Sequence, residues 1–246
     1  MMAGDADVDG QIDNKDKNDF SIPEIGQTGY LPGDYNMDGV VNSTDFLVWQ
    51  ASAGSSEQFP KLPGEYFTDP RDGEVYRTVQ IGDQVWMAEN MRYNRVYPYP
   101  ASYCYANIPE YCDIAGRLYY NNGTGVCPSG WHYPTDDDWK ILEGTVDSQY
   151  GVGDPEWDLW GEYRGFDAGQ KLKNSGQWNG TDDFGFNIMP YGYRATGGDF
   201  LDMGFATAIW FSYSDYRFFT STENGIYKGA KPGTSHPAYY VRCVKD

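Results

Sequence analysis

The chain is poor in basic groups. Its 246 residues include two histidines, and 18 Lys and Arg stand against 36 Asp and Glu, for a formal net charge of −18. Phosphate contacts need clustered Lys and Arg, so nucleic acid is excluded as an expected partner, and an anionic membrane surface is disfavoured for the same reason. No apolar run reaches the roughly 18 residues that span a bilayer, so no transmembrane segment is expected. The Met1-Met2-Ala3 start lacks the charged and apolar regions of a signal peptide, and an exported protein would therefore be numbered here from after its signal. General bases are scarce as well. His132, inside Trp-His-Tyr-Pro, reads as a buried structural histidine, and His236, in Gly233-Thr-Ser-His-Pro, as an exposed loop residue. There is no Gly-x-Ser-x-Gly elbow and no phosphate-cradling glycine loop. Acidic pairs such as Asp182-Asp183 arise freely among so many carboxylates, so they do not by themselves specify glycoside hydrolysis. An enzyme is not the expected reading; its version would be a secreted one acting on polysaccharide or protein side chains.

Aromatic residues, by contrast, are abundant. With 22 Tyr, 12 Phe and 8 Trp beside 30 Gly, the chain reads as a loop-rich, β-containing protein whose rings serve both core and surface. Its length suits one large domain and one small one.

The stretch Gly125 to Leu142, GVCPSGWHYPTDDDWKIL, organises the larger part. Thr135 is an N-cap, Asp136, Asp137 and Asp138 sit on the positive end of the helix it opens, and Trp139, Ile141 and Leu142 give that helix its buried side. Upstream, Glu74 to Ile81 and Gln84 to Met87 flank Gly82-Asp83, a hairpin with a two-residue turn of the Gly-X kind. Downstream, Gly151 to Tyr163 is an irregular Trp-bearing insertion and Asp167 to Lys173 a second short helix. Strands then follow at Phe184 to Arg194, Phe200 to Tyr213, Arg217 to Thr222, Ile226 to Gly229 and Ala238 to Val244. The expectation is a mainly antiparallel α+β domain.

Residues 1 to 50 carry an internal repeat. Asp5, Asp7, Asp9, Gln11, Asp13 and Asp16 match Asp34, Asn36, Asp38, Val40, Asn42 and Asp45 in register. Oxygen ligands fall at loop positions 1, 3, 5, 9 and 12, position 7 (Gln11, Val40) offers its backbone carbonyl, and Gly10 and Gly39 stand where the turn is sharpest. A hard dication explains this packing of carboxylates, so two Ca2+ ions are expected. The pattern, with Asp at position 12, resembles dockerin calcium-binding repeats, which implies a cohesin-like partner. Pro23 allows only a short helix after the first loop, and the pairs Asn14-Lys15 and Ser43-Thr44 differ, which argues against a symmetric docking mode. Residues 51–63, ASAGSSEQFPKLP, have linker composition, so the domains are placed at 1–50 and 64–246.

Five motifs carry a second resemblance. Gln84-Val-Trp-Met-Ala-Glu-Asn-Met91, Gly116-Arg-Leu-Tyr-Tyr120, Cys127-Pro-Ser-Gly-Trp-His-Tyr-Pro-Thr135, Phe184-Gly-Phe186 and Val241-Arg-Cys-Val-Lys-Asp246 follow one another as in the Fibrobacter succinogenes major paralogous domain family, over residues 64–246. That resemblance implies a C-type-lectin-like fold in a secreted or surface module, with no reaction common to the family. Four cysteines suit two disulfides in an oxidising compartment: Cys104 and Cys112 are close in sequence, and Cys127 would then pair with Cys243, as the long bridge does in lectin-like folds. Buried free thiols are the alternative, and zinc is disfavoured because no Cys-x-x-Cys spacing occurs.

Trp178-Asn179-Gly180 is a partial echo of the calcium-dependent lectin motif, and the proline tripeptide of those lectins is missing. The segment Trp210 to Tyr240 is dense in Tyr, Ser, Asp and Asn, and in lectin-like folds it forms the exposed ligand face. The expected contact residues are Trp210, Tyr213, Asp215, Tyr216, Arg217, Asn224, Tyr227 and His236. The expected function is recognition of a glycan or surface protein by a secreted or cell-surface protein that a calcium module attaches. A retroelement-diversified variable binding protein is a further alternative.

Overall fold

A computed structural model describes residues 66–94, 102–120, 125–175, 178–212, 214–231 and 236–246, all within a unit that spans Tyr66–Asp246. The two expected calcium loops, the expected linker and Tyr213 lie outside the described residues.

The first sheet grows from a hairpin. Strand β2 (Val75–Ile81) buries Tyr76, Thr78 and Ile81, and β3 (Gln84–Met87) returns across Gly82-Asp83 with Val79 opposite Trp86. Gly82 takes a positive φ of 60° and Asp83 does not, as a two-residue Gly-X turn demands. The short β1 (Tyr66–Thr68) flanks β2, and β14 (Val244–Lys245) crosses the whole domain to lie between β3 and β6 (Trp131–His132). The two ends of the domain therefore meet in one sheet.

The second sheet has nine strands in the order β4 (Ser102–Tyr103), β5 (Leu118–Tyr120), β13 (Ala238–Tyr239), β8 (Tyr191–Arg194), β10 (Ala206–Trp210), β11 (Asp215–Thr220), β12 (Ile226–Ala230), β7 (Tyr163–Arg164). Its ninth strand, β9 (Phe200–Met203), pairs with β8. One pairing in this sheet, β8 with β10, is parallel and the others are antiparallel. The described chain is thus mainly β-sheet with a few short helices, an α+β arrangement.

Three helices complete it: α1 (Pro109–Ala115), α2 (Asp136–Val146) and α3 (Ala168–Leu172). A capping box opens α2, with the Asp138 N–H donating to Thr135 Oγ1 at 3.1 Å and the Thr135 N–H to Asp138 Oδ2 at 2.8 Å. Trp139 and Leu142 are buried as expected, but Ile141 is 38% exposed. The place expected for Ile141 belongs instead to Glu143, which is wholly buried. The expected strand Phe200 to Tyr213 is in fact two strands, β9 and β10, because Gly204 and Phe205 turn the chain between them, and each pairs with β8 rather than with the other. Of Phe184 to Arg194, only the last four residues form a strand.

Both expected disulfides are present, Cys104–Cys112 and Cys127–Cys243. The second closes a separation of 116 residues and staples the approach to β6 against the approach to β14. Closing so long a loop stabilises by roughly 4–5 kcal/mol in the chain-entropy account.

Candidate functional site

Strand alternation divides the β10–β11–β12–β7 part of the larger sheet into two chemically different faces. On β11, Arg217 and Phe219 turn towards α2 and are buried, while Tyr216 and Phe218 point the other way and are half-buried. Register extends each set across neighbouring strands. Trp210 lies opposite Tyr216, Tyr227 opposite Phe218, and Tyr163 opposite Tyr227.

The inner face is an ion network. The Glu143 carboxylate of α2 accepts from Arg164 Nη2 at 2.5 Å and from Arg217 Nε at 2.6 Å, all three side chains being fully buried. Arg217 Nη2 reaches Asp136 at 2.9 Å, and Lys228 Nζ reaches the other oxygen of Asp136 at 2.7 Å. Burial alone would raise the Asp136 carboxyl, but Lys228 and Arg217 overcome it and hold it at about 2. Burial pushes the Lys228 ammonium down despite that partner.

The outer face is a row of neutral rings. Tyr163 meets Tyr227 at 5.4 Å between ring centres, Tyr227 meets Tyr216 at 6.3 Å, and Tyr216 meets both Tyr239 at 4.9 Å and Phe218 at 6.4 Å. Tyr193 of β8 closes the row against Phe218 at 5.7 Å. Beneath lie Trp210 and Tyr239, in the buried core cluster that also holds Trp131, Val241 and Cys243. Gly229 makes room above β12: a Cβ there would stand 2.6 Å from Tyr227 Cε1 and 2.9 Å from Tyr216 Oη. Burial raises the phenols of Tyr163 and Tyr216. Burial, with Asp202 beside it, pushes Tyr193 up to about 12. These hydroxyls stay protonated at neutral pH and can both donate and accept.

The sequence of Val79 to Lys245, from β2 through the tyrosine row to β14, matches the profile of the Fibrobacter succinogenes major domain. The chain belongs to that family. No curated protein and no solved structure matches it. In this major domain the match takes in both faces of the larger sheet, α2, and the Cys127–Cys243 bridge.

The expected contact residues do not form one cluster. Tyr216 and Tyr227 stand together in the row. Trp210 and Arg217 are fully buried, one supporting the rings from below and the other engaged with Glu143 and Asp136, so neither is a surface contact. Asp215 accepts from the Ser212 and Ser214 hydroxyls at 2.8 and 3.0 Å and holds the turn before β11. Asn224 lies elsewhere, accepting from Asn179 Nδ2 at 3.1 Å. His236 is exposed as expected and packs on Tyr120, whose hydroxyl hydrogen-bonds its Nδ1. His132 is 37% exposed rather than buried, and its structural part is to bridge Asp138 and Asp246 at 3.1 and 2.9 Å. Sequence reasoning missed Tyr163, Tyr193 and Phe218. Tyr193 sits in an alternating run, Tyr191-Gly-Tyr-Arg194, that could have flagged it; β7 is too short to give any periodic signal.

Among the described residues no group of three or more His, Cys, Asp or Glu is placed to hold a metal, and no helix is long and apolar enough to cross a membrane.

Proposed function

We propose that this protein is an extracellular recognition protein whose major domain is C-type-lectin-like and binds a glycan through the tyrosine row, with residues 1–50 as a calcium-loaded attachment module for a cohesin-like partner. The observation that carries this reading is the row itself. Tyr163, Tyr227, Tyr216, Phe218 and Tyr193 present ring faces and hydroxyls on a rigid sheet, half-buried and free of charge. Tyrosine offers large contact area at low entropy cost, and the pairing of ring face with hydroxyl suits a pyranose, which has one apolar side and a polar rim. Two disulfides fit an oxidising compartment such as the cell exterior. The pairing of β14 with β3 and the long Cys127–Cys243 bridge are what a lectin-like domain with joined ends would have.

The test is a glycan-array and surface-protein screen of the full chain, with and without calcium, beside a Tyr216→Ala/Tyr227→Ala variant. A glycan whose binding drops at least tenfold in the variant supports the reading. A ligand bound equally by both proteins removes the row from it. A protein ligand dependent on the row moves the assignment from sugar to protein.

A further inference from the structure

Arginines stacked on aromatic rings recur in this domain, and the set has one member unlike the others. Arg71 lies over Tyr93 at 3.8 Å from the ring centre, Arg92 over Tyr76 at 4.7 Å, Arg217 over Phe211 at 4.1 Å and Arg164 over Trp157 at 6.0 Å. Each of these four holds a carboxylate of its own chain: Asp69, Glu74, Glu143 with Asp136, and Glu143 respectively. Arg242, over Phe186 at 4.8 Å, gives its N–H groups to Asn90 Oδ1 and to the carbonyls of Phe186 and Asn187. Arg194 is stacked in the same manner, 4.3 Å from the Tyr103 ring centre and 5.9 Å from that of Phe200. Among the described arginines it is the one whose guanidinium makes neither a hydrogen bond nor an ion pair within the described chain.

Its position is nevertheless built. Tyr103 comes from β4 and Phe200 from β9, on either side of β8, and Gly198 turns beside the guanidinium with φ +99°. A Cβ at Gly198 would stand 3.0 Å from Arg194 Nη2, so any side chain there would press on the fork. Ring stacking fixes the guanidinium plane and consumes none of its five N–H donors. A planar fork fixed in this way is organised in advance for a bidentate carboxylate, as Arg71 already is for Asp69 through Nε at 2.9 Å and Nη2 at 2.6 Å.

We propose that Arg194 is the recognition group for a carboxylate carried by a saccharide, a uronate-type sugar, at a site separate from the tyrosine row. Arg194 follows Tyr193 directly in β8, so the two side chains leave opposite faces of the sheet. The charge of the chain selects the ligand class. A net −18 repels a densely anionic peptide, while one guanidinium fork suits isolated carboxylates on an otherwise neutral sugar chain. The apolar flanks of Tyr103 and Phe200 beside the fork match the C–H side of a pyranose.

The test titrates the full chain calorimetrically with a glucuronate-terminated disaccharide, its methyl ester and an acetylated aspartyl dipeptide. The expected result is binding of the acid, at least tenfold weaker binding of the ester, and the same loss for the acid in Arg194→Gln. Arg194→Lys should recover part of it, since it keeps the charge and loses the fork. Near-ultraviolet circular dichroism shows that the variants are folded. No binding of the acid, equal binding of acid and ester, or an unaffected Arg194→Gln variant would overturn the proposal. Tighter binding of the dipeptide with the same dependence on Arg194 would overturn it in favour of an acidic peptide.

Discussion

The two faces of β11 and β12 carry side chains one residue apart in the chain and opposite in chemistry. Arg217 and Lys228 face α2 and join a buried network in which they and Arg164 are held by Glu143 and Asp136. Tyr216 and Tyr227 face away and stack on one another, and burial raises the Tyr216 phenol. The contrast shows where this domain keeps rigidity and where it keeps surface. Ions are placed where water is excluded and geometry is enforced, so that removing one partner is costly. Uncharged rings are placed where another molecule can displace water without stranding a charge.

The largest expected effect comes from breaking the inner face. Glu143→Ala would leave the Arg164 and Arg217 guanidinium groups buried without their shared carboxylate, both side chains being fully buried. Unfolding free energy should fall by about 3–5 kcal/mol, read as a lower urea midpoint at an unchanged slope. A midpoint within error of the native chain would show that the network contributes nothing net.

Acid should reach the same face more gently. The folded pKa of Asp136 is lowered to about 2 from 3.8, so its stabilisation is fully present above pH 4 and is lost as pH falls towards 2. With a side chain 30% exposed, the loss should be about 1–2 kcal/mol after allowance for solvent screening. Urea midpoints of the native chain and of Asp136→Asn should therefore converge between pH 4 and pH 2, and parallel curves would contradict this.

Gly229→Ala sharpens the comparison from the outer face. The new methyl would press on the Tyr216 and Tyr227 rings, whose ends can shift. Stability should change by only about 1 kcal/mol, whereas binding by the row should weaken several-fold. A large loss of stability with intact binding would assign the rings to the core instead.

Much of the frame was legible along the chain, because it rests on local rules. Thr135 with three aspartates announced α2, Gly82-Asp83 announced the hairpin, and four cysteines of suitable spacing announced two bridges. What misled was burial. Ile141 was expected inside and is exposed, while Glu143, three residues before the helix ends, is fully buried because two arginines from distant strands meet it there. Lys173 was legible only as the end of a short helix. It is fully buried, donates to the Thr220 and Glu223 carbonyls at 2.8 and 2.7 Å, and is pushed down to about 8 by burial.

The candidate site was half legible. Tyr216 and Tyr227 were expected contacts and do stand together, but Trp210, on the same face, is covered by Tyr239, and Arg217 lies on the opposite face. A segment rich in Tyr and Ser says that a face exists; the parity of each strand decides which residues reach it, and a shift of one residue exchanges the faces.

By itself, then, the sequence determined the local elements and the surplus of aromatic rings, since these depend on composition and on neighbours along the chain. Tertiary structure alone decided which rings form one row, which charges are buried together, and which of the described arginines keeps its guanidinium N–H groups unused. Those outcomes depend on strand register across a sheet whose paired residues lie up to 120 residues apart in sequence (Tyr239 beside Tyr119), and no local rule reaches that far.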